Sequence, residues 1–238
     1  MHGSVRNYFI TFNVPIEGRV DYMYLDIKGL VTIGVGNLID VENGSADKIL
    51  AEVKKLPFVY QESETNAGKP ASPADIEAEW KLVKDKQDWK NRKDYLDQFA
   101  TITKLELKEE AIIGLALKKA DAMEKELKHH SAFRDFDKWP ADAQLGLLSI
   151  AWALGTTKLR NGWPSFNAAC QKQDFDAAVK HCEISAAGNS ILALRNAENK
   201  TLFNNAAVVM ASAGANLAEN IQQRRTLNYP RTMMKKIT

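Results

Sequence analysis

Residues 17–36 read EGRVDYMYLDIKGLVTIGVG and set three polar side chains, Glu17, Asp26 and Thr32, into a largely apolar, glycine-rich stretch. The step from Glu17 to Asp26 is nine positions and the step from Asp26 to Thr32 is six. Hydrolysis of a glycosidic bond needs two carboxyl groups flanking a cleft. One gives a proton to the leaving oxygen, and the other, ionised, activates a water. A hydroxyl beside the base holds that water in line. The same stretch carries β signals: Tyr22, Tyr24 and Ile27 are strand formers, Lys28-Gly29 is a turn signal, and Leu30–Val35 is a second β-branched run. Gly18–Val41 is therefore expected as β structure, with Asp26 beside a hairpin turn.

Working outward, the segment Tyr8–Ile16 has two readings. Phe9, Phe12 and Ile16 fit one face of a helix, while Ile10, Phe12 and Val14 alternate like a strand. Pro15 argues against a helix that runs up to Glu17. Downstream, the turn Asn43-Gly44-Ser45 leads into a short helix over 46–56, and the polar stretch Pro57–Pro73 reads as a loop. Pro73–Phe99 reads as helical, capped by Ser72, with Trp80, Val83, Trp89 and Leu96 as its buried positions. Thr103-x-x-Glu106 is a capping-box pattern, expected to open an amphipathic helix from Leu105 to Lys128. WPADAQLGLLSIAWALG, residues 139–155, is apolar enough for the centre of a core.

With 238 residues the chain has material for one large domain or two lobes. It contains no run of eighteen apolar residues, so no membrane span is expected. The N-terminus lacks the pattern of a secretory signal, and Met1-His2-Gly3-Ser4 reads as an appended leader on a piece of something longer. Arg224, Arg225, Arg231, Lys235 and Lys236 face only Glu219 within residues 219–238, and this tail holds all of the chain's positive excess. It is either the solvated end of a helix or a patch for anionic wall polymer. No basic stripe with interleaved aromatics points to nucleic acid. Cys170 and Cys182 do not make a disulfide scaffold and read as buried thiols. His129, His130 and His181 lack partners at metal-ligand spacing, so no metal is assigned.

The order of Glu17-Gly18, Asp26 and Thr32-Ile33-Gly34-Val35-Gly36 resembles the catalytic stretch of the bacteriophage-type lysozymes, glycoside hydrolase family 24. That family carries an E-G pair, an Asp in a β-hairpin and T-I-G-x-G. Further likeness lies in Pro140, Gln144, Leu147, Ser149 and Gly155 of the apolar helix, in Gly162-Trp163-Pro164-Ser165-Phe166, in DFDAAV at 174–179 and in RNAENKTLF at 195–203. Pro15, Asn37 and Ala153 depart from the family pattern. The resemblance spans roughly 1–50 and 102–206.

It implies an α+β, mostly helical, lysozyme-like fold. Residues 1–56 would form a small lobe with the catalytic hairpin, 57–101 a helical insertion, 102–206 the connecting helix and helical large lobe, and 207–238 a basic helical tail. The activity implied is that of a muramidase, cutting the β-1,4 bond between N-acetylmuramic acid and N-acetylglucosamine in peptidoglycan. Glu17 would be the general acid, Asp26 the base and Thr32 the holder of the water, with Gly36, Trp152 and Trp163 touching substrate. Inversion at the anomeric carbon and a carboxyl separation of about 6.5–9.5 Å follow from those roles. No cofactor is implied. The expected partners are glycan strands and an immunity or inhibitor protein, and the place of action is the bacterial wall. Delivery would be by secretion machinery, a larger parent protein or a holin. The alternatives are an inactive wall-binding module of the same fold and a lytic transglycosylase.

Overall fold

Tyr8, Phe9, Phe12 and Ile16 stand three, four, seven and eleven residues after Val5, on one helical face, and all five are buried, winding Gly3–Glu17 into helix α1. Pro15 stands inside its last turn. Proline removes one backbone donor from that turn, but its ring is exposed, and the buried stripe outweighs the loss. The expectation that Pro15 stops a helix short of Glu17 is thus overturned. Gly18, at φ 75°, ends the helix in the left-handed conformation that favours glycine.

The computed structural model describes residues 1–41, 44–89, 94–212, 214–219 and 221. They form an α+β fold, mostly helical, with a small antiparallel sheet. Two units divide the chain: Met1–Ile16 with Leu117–Thr238, and Glu17–Ala116.

In the unit Glu17–Ala116, strands β1 (Val20–Leu25), β2 (Val31–Gly34) and β3 (Asn37–Leu38) form an antiparallel sheet in that order. Helix α2 (Ala46–Val53) follows, then strand β4 (Val59–Tyr60). Helix α3 (Pro73–Lys84) opens on a capping box between Ser72 and Asp75. Helix α4 is Tyr95–Ile102 and strand β5 is Leu105–Glu106, paired with β4. Helices α3 and α4 pack against β1, so the stretch 57–101 covers the hairpin sheet of its own unit. Trp80 and Val83 are buried as expected. Trp89 and Leu96 are half-buried, and Phe99 takes the buried place beside Trp89, ring centroids 5.3 Å apart.

Helix α5 begins at Glu109 and runs to Lys128, four residues later than its capping-box pattern predicted. Thr103 instead ends α4, its hydroxyl donating to the Phe99 carbonyl at 2.9 Å. Strand pairing of Leu105 and Glu106 with β4 takes the residues a first helical turn would have used. Ile112, Ala116, Ala120, Met123 and Leu127 form the buried stripe of α5.

The other unit is helical. Helix α6 (Ala141–Leu154) is buried on every side from Ala141 to Trp152, the central core helix its composition predicts. Around it come α7 (Thr156–Gly162), α8 (Pro164–Gln171), α9 (Phe175–His181) and α10 (Ser190–Ala211). Gly146 lets α10 approach closely, since a Cβ there would stand 3.0 Å from the Phe203 ring. Arg195 of α10 is 1% exposed and donates to Ser149 Oγ at 2.8 Å and to Asn13 Oδ1 at 3.3 Å. Cys170 and Cys182 are free, buried thiols; burial pushes both above the usual thiol range, Cys182 to about 11. No helix among the described residues is long and apolar enough to cross a membrane.

Candidate active site

Glu17 is the last residue of α1 and is exposed. Gly18 turns the chain from that helix end into β1.

Asp26 opens the loop between β1 and β2. Its N–H donates to the Leu30 carbonyl at 2.9 Å, its own carbonyl accepts from Gly29 N–H at 2.9 Å, and Gly29 has φ 77°. This is a three-residue hairpin loop closed by a left-handed glycine. The Asp26 carboxylate is tied into it: Oδ1 accepts from Lys28 N–H at 2.8 Å and from Leu30 N–H at 2.9 Å. Two backbone donors on one oxygen fix the carboxylate plane. Oδ2 has no hydrogen-bond partner among the described residues, which leaves it to meet a water.

Thr32 lies in β2 directly opposite Tyr24 of β1, and such cross-strand pairs share a sheet face. The threonine is 4% exposed, and its hydroxyl donates to the Leu30 carbonyl at 3.1 Å. Its oxygen retains acceptor capacity, so it would hold a water by accepting from it. Gly34 and Gly36, at φ 68° and 76°, make the turn into β3. A Cβ on Gly34 would stand 2.9 Å from Ile112 Cγ2, so this glycine of the TIGVG run serves packing. Gly36 is half-buried.

Two phenols join these residues. Burial pushes Tyr24 well above the usual tyrosine range, and the charges of Tyr95, Glu17 and Asp26 push it further. Tyr95, on α4, is raised by burial and by Asp26. The two rings lie 6.4 Å apart. Both therefore stay protonated. Tyr24 was readable as a strand former two positions before Asp26; nothing in the sequence pointed to Tyr95.

Glu17, Asp26, Thr32 and Gly36 thus fall in one unit, and Trp152 and Trp163 in the other. Trp152 is 8% exposed, edge-on to Phe9 with ring centroids 5.3 Å apart, and Lys119 Nζ lies 3.9 Å from its ring centroid. Trp163, between α7 and α8, is half-buried and edge-on to Phe166 at 5.5 Å. Among the described residues no group of three or more His, Cys, Asp and Glu side chains is placed to hold a metal ion. Comparison of the chain with protein-family models and with curated proteins gives no match.

Proposed function

We propose that this protein is a muramidase with a lysozyme-like fold that hydrolyses the β-1,4 bond from N-acetylmuramic acid to N-acetylglucosamine in peptidoglycan. One observation carries the reading. A glutamate at a helix end, an aspartate tied into a hairpin loop and a threonine paired with Tyr24 across the two strands follow the order of the E-G, D, T-I-G-x-G motif. In the reaction Glu17 gives its proton to the leaving glycosidic oxygen. A water held between Asp26 and Thr32 loses a proton to Asp26 Oδ2 as its oxygen attacks the anomeric carbon from the opposite face. The configuration inverts, and both groups return to their starting states by exchange with solvent. Biologically, this activity suits the toxic domain of an antibacterial effector or bacteriocin, countered by an immunity protein, or a phage endolysin.

Mass spectrometry of products from purified peptidoglycan tests the proposal. Reducing muramic acid ends are expected. Anhydromuramic ends would make the protein a lytic transglycosylase, and binding without products would make it a wall-binding module.

A further inference from the structure

The hairpin loop that holds Asp26 is itself braced from below by α3. Asp40, just past β3, has a side chain only 1% exposed; its Oδ1 accepts from Val41 N–H at 2.8 Å and its Oδ2 from Val31 N–H at 3.2 Å. Lys84, the last residue of α3, donates Nζ to Asp40 Oδ2 at 2.6 Å and also to the Gly29 carbonyl at 3.1 Å. Gln87 donates Nε2 to the same carbonyl at 3.1 Å and to the Lys84 carbonyl at 2.8 Å. A Cβ on Gly29 would stand 2.0 Å from Gln87 Oε1, so only glycine admits that amide.

The Gly29 carbonyl and the Leu30 N–H are the two ends of one planar peptide group. At one end that group accepts from a cation and an amide. At the other it donates to Asp26 Oδ1 at 2.9 Å. A cation on the oxygen draws density from the nitrogen and strengthens the N–H as a donor, as linked hydrogen bonds polarise one another. It also fixes the rotation of the peptide plane, and with it the direction from which Asp26 is held. A surface ion pair would need none of these backbone partners, and the Asp40 carboxylate is fully buried.

We infer that Lys84, set in place by Asp40 and Gln87, is a positioning residue for Asp26, acting through the Gly29–Leu30 peptide. The inference rests on Asp26 being the base of the reaction proposed above. It makes α3, within the stretch 57–101, part of the catalytic apparatus.

The test uses the full chain on purified peptidoglycan, well below the melting temperature of each variant. Lys84→Met alone would strand a buried Asp40 charge, so it is combined with Asp40→Asn, which removes both charges but keeps an acceptor oxygen for only one of the Val31 and Val41 N–H groups; Asp40→Asn alone is the control for losing the other. Lys84→Arg retains a cation, and Asp26→Asn gives the floor. The double variant is expected to lose about tenfold in kcat with KM nearly unchanged, the signature of a misplaced reacting group. Lys84→Arg should keep more of kcat than the double variant. The Leu30 amide proton resonance should move upfield in the double variant. A folded double variant with wild-type kcat overturns the inference, as does an unmoved Leu30 resonance. If wild type releases no products the muramidase reading fails instead, and if Asp26→Asn is fully active it is the role of Asp26 as base that fails. The Leu30 resonance then still decides whether Lys84 polarises that peptide.

Discussion

At the scale of single residues, Asp26 is locked into its hairpin by two backbone donors, and Glu17 ends helix α1 ahead of a left-handed glycine. A fixed carboxylate suits a base that must hold a water in line. Glu17→Gln cannot supply a proton and Asp26→Asn cannot take one. Each is expected to lower peptidoglycan turnover by about 10²–10⁴-fold with circular dichroism unchanged. In Asp26→Asn the side-chain amide oxygen can still accept from the Lys28 and Leu30 N–H groups, so the hairpin should survive that change. Wild-type clearing by Asp26→Asn would reduce the residue to a hairpin anchor. Equal clearing by Glu17→Gln would remove the acid from the mechanism.

At the scale of elements, one corner of the sheet is held by a buried carboxylate. Glu79 of α3 is 5% exposed and accepts from Lys104 N–H at 2.6 Å and Leu105 N–H at 3.1 Å, joining α3 to the start of β5. Burial raises its carboxyl to about 7 despite those donors. The folded state therefore binds a proton between the ordinary glutamate range and about 7 that the unfolded chain has already released. Stability is fully present below that range and falls as pH rises through 7, by up to about 3 kcal/mol. Urea unfolding at pH 5 and pH 8 should show the loss in wild type, and Glu79→Gln should flatten it. A wild-type protein no less stable at pH 8 than at pH 5 would mean that the backbone donors, and not burial, govern this group. Elements were legible where a local signal matched the force that decides them. The hairpin followed from Lys28-Gly29 between β-branched runs, and α3 from Ser72. Pro15 misled because a proline in the last turn forfeits one bond while five buried apolar side chains hold the helix. Thr103-x-x-Glu106 misled because a two-residue strand pairing, invisible locally, claimed Leu105 and Glu106. Lys84, Gln87 and Tyr95 approach the hairpin through tertiary packing, for which the sequence carries no pattern.

At the scale of the whole molecule, the question is what the last residues do. The basic side chains Arg224, Arg225, Arg231, Lys235 and Lys236 lie outside the described residues, but the segment before them has a defined task. The Leu217 carbonyl accepts from Ala141 N–H at 2.7 Å, Ile221 N–H donates to Asp142 Oδ2 at 2.9 Å, and Ser4 Oγ donates to the Ala218 carbonyl at 2.5 Å. Ala141 and Asp142 are the first two residues of α6 and are fully buried. The first N–H groups of a helix have no partner within it, so Leu217 supplies what α6 cannot supply for itself. Two truncations therefore separate structure from charge. Ending the chain at 216 strands a buried donor, costing about 1–3 kcal/mol, or about 2–4 °C of melting temperature for each kcal/mol in a chain of this size. That loss should be the same at every salt concentration. Ending it at 221 keeps all three bonds and removes the five basic residues. Melting should then be unchanged, while binding to sacculi weakens at 0.1 M salt and not at 1 M, where the Debye length has shrunk from about 10 Å to about 3 Å. Both truncations should leave turnover on a short soluble glycan intact at temperatures where they are folded. If the chain ending at 221 melts as low as the one ending at 216, the basic residues belong to the fold and their charge has no separate role at the wall.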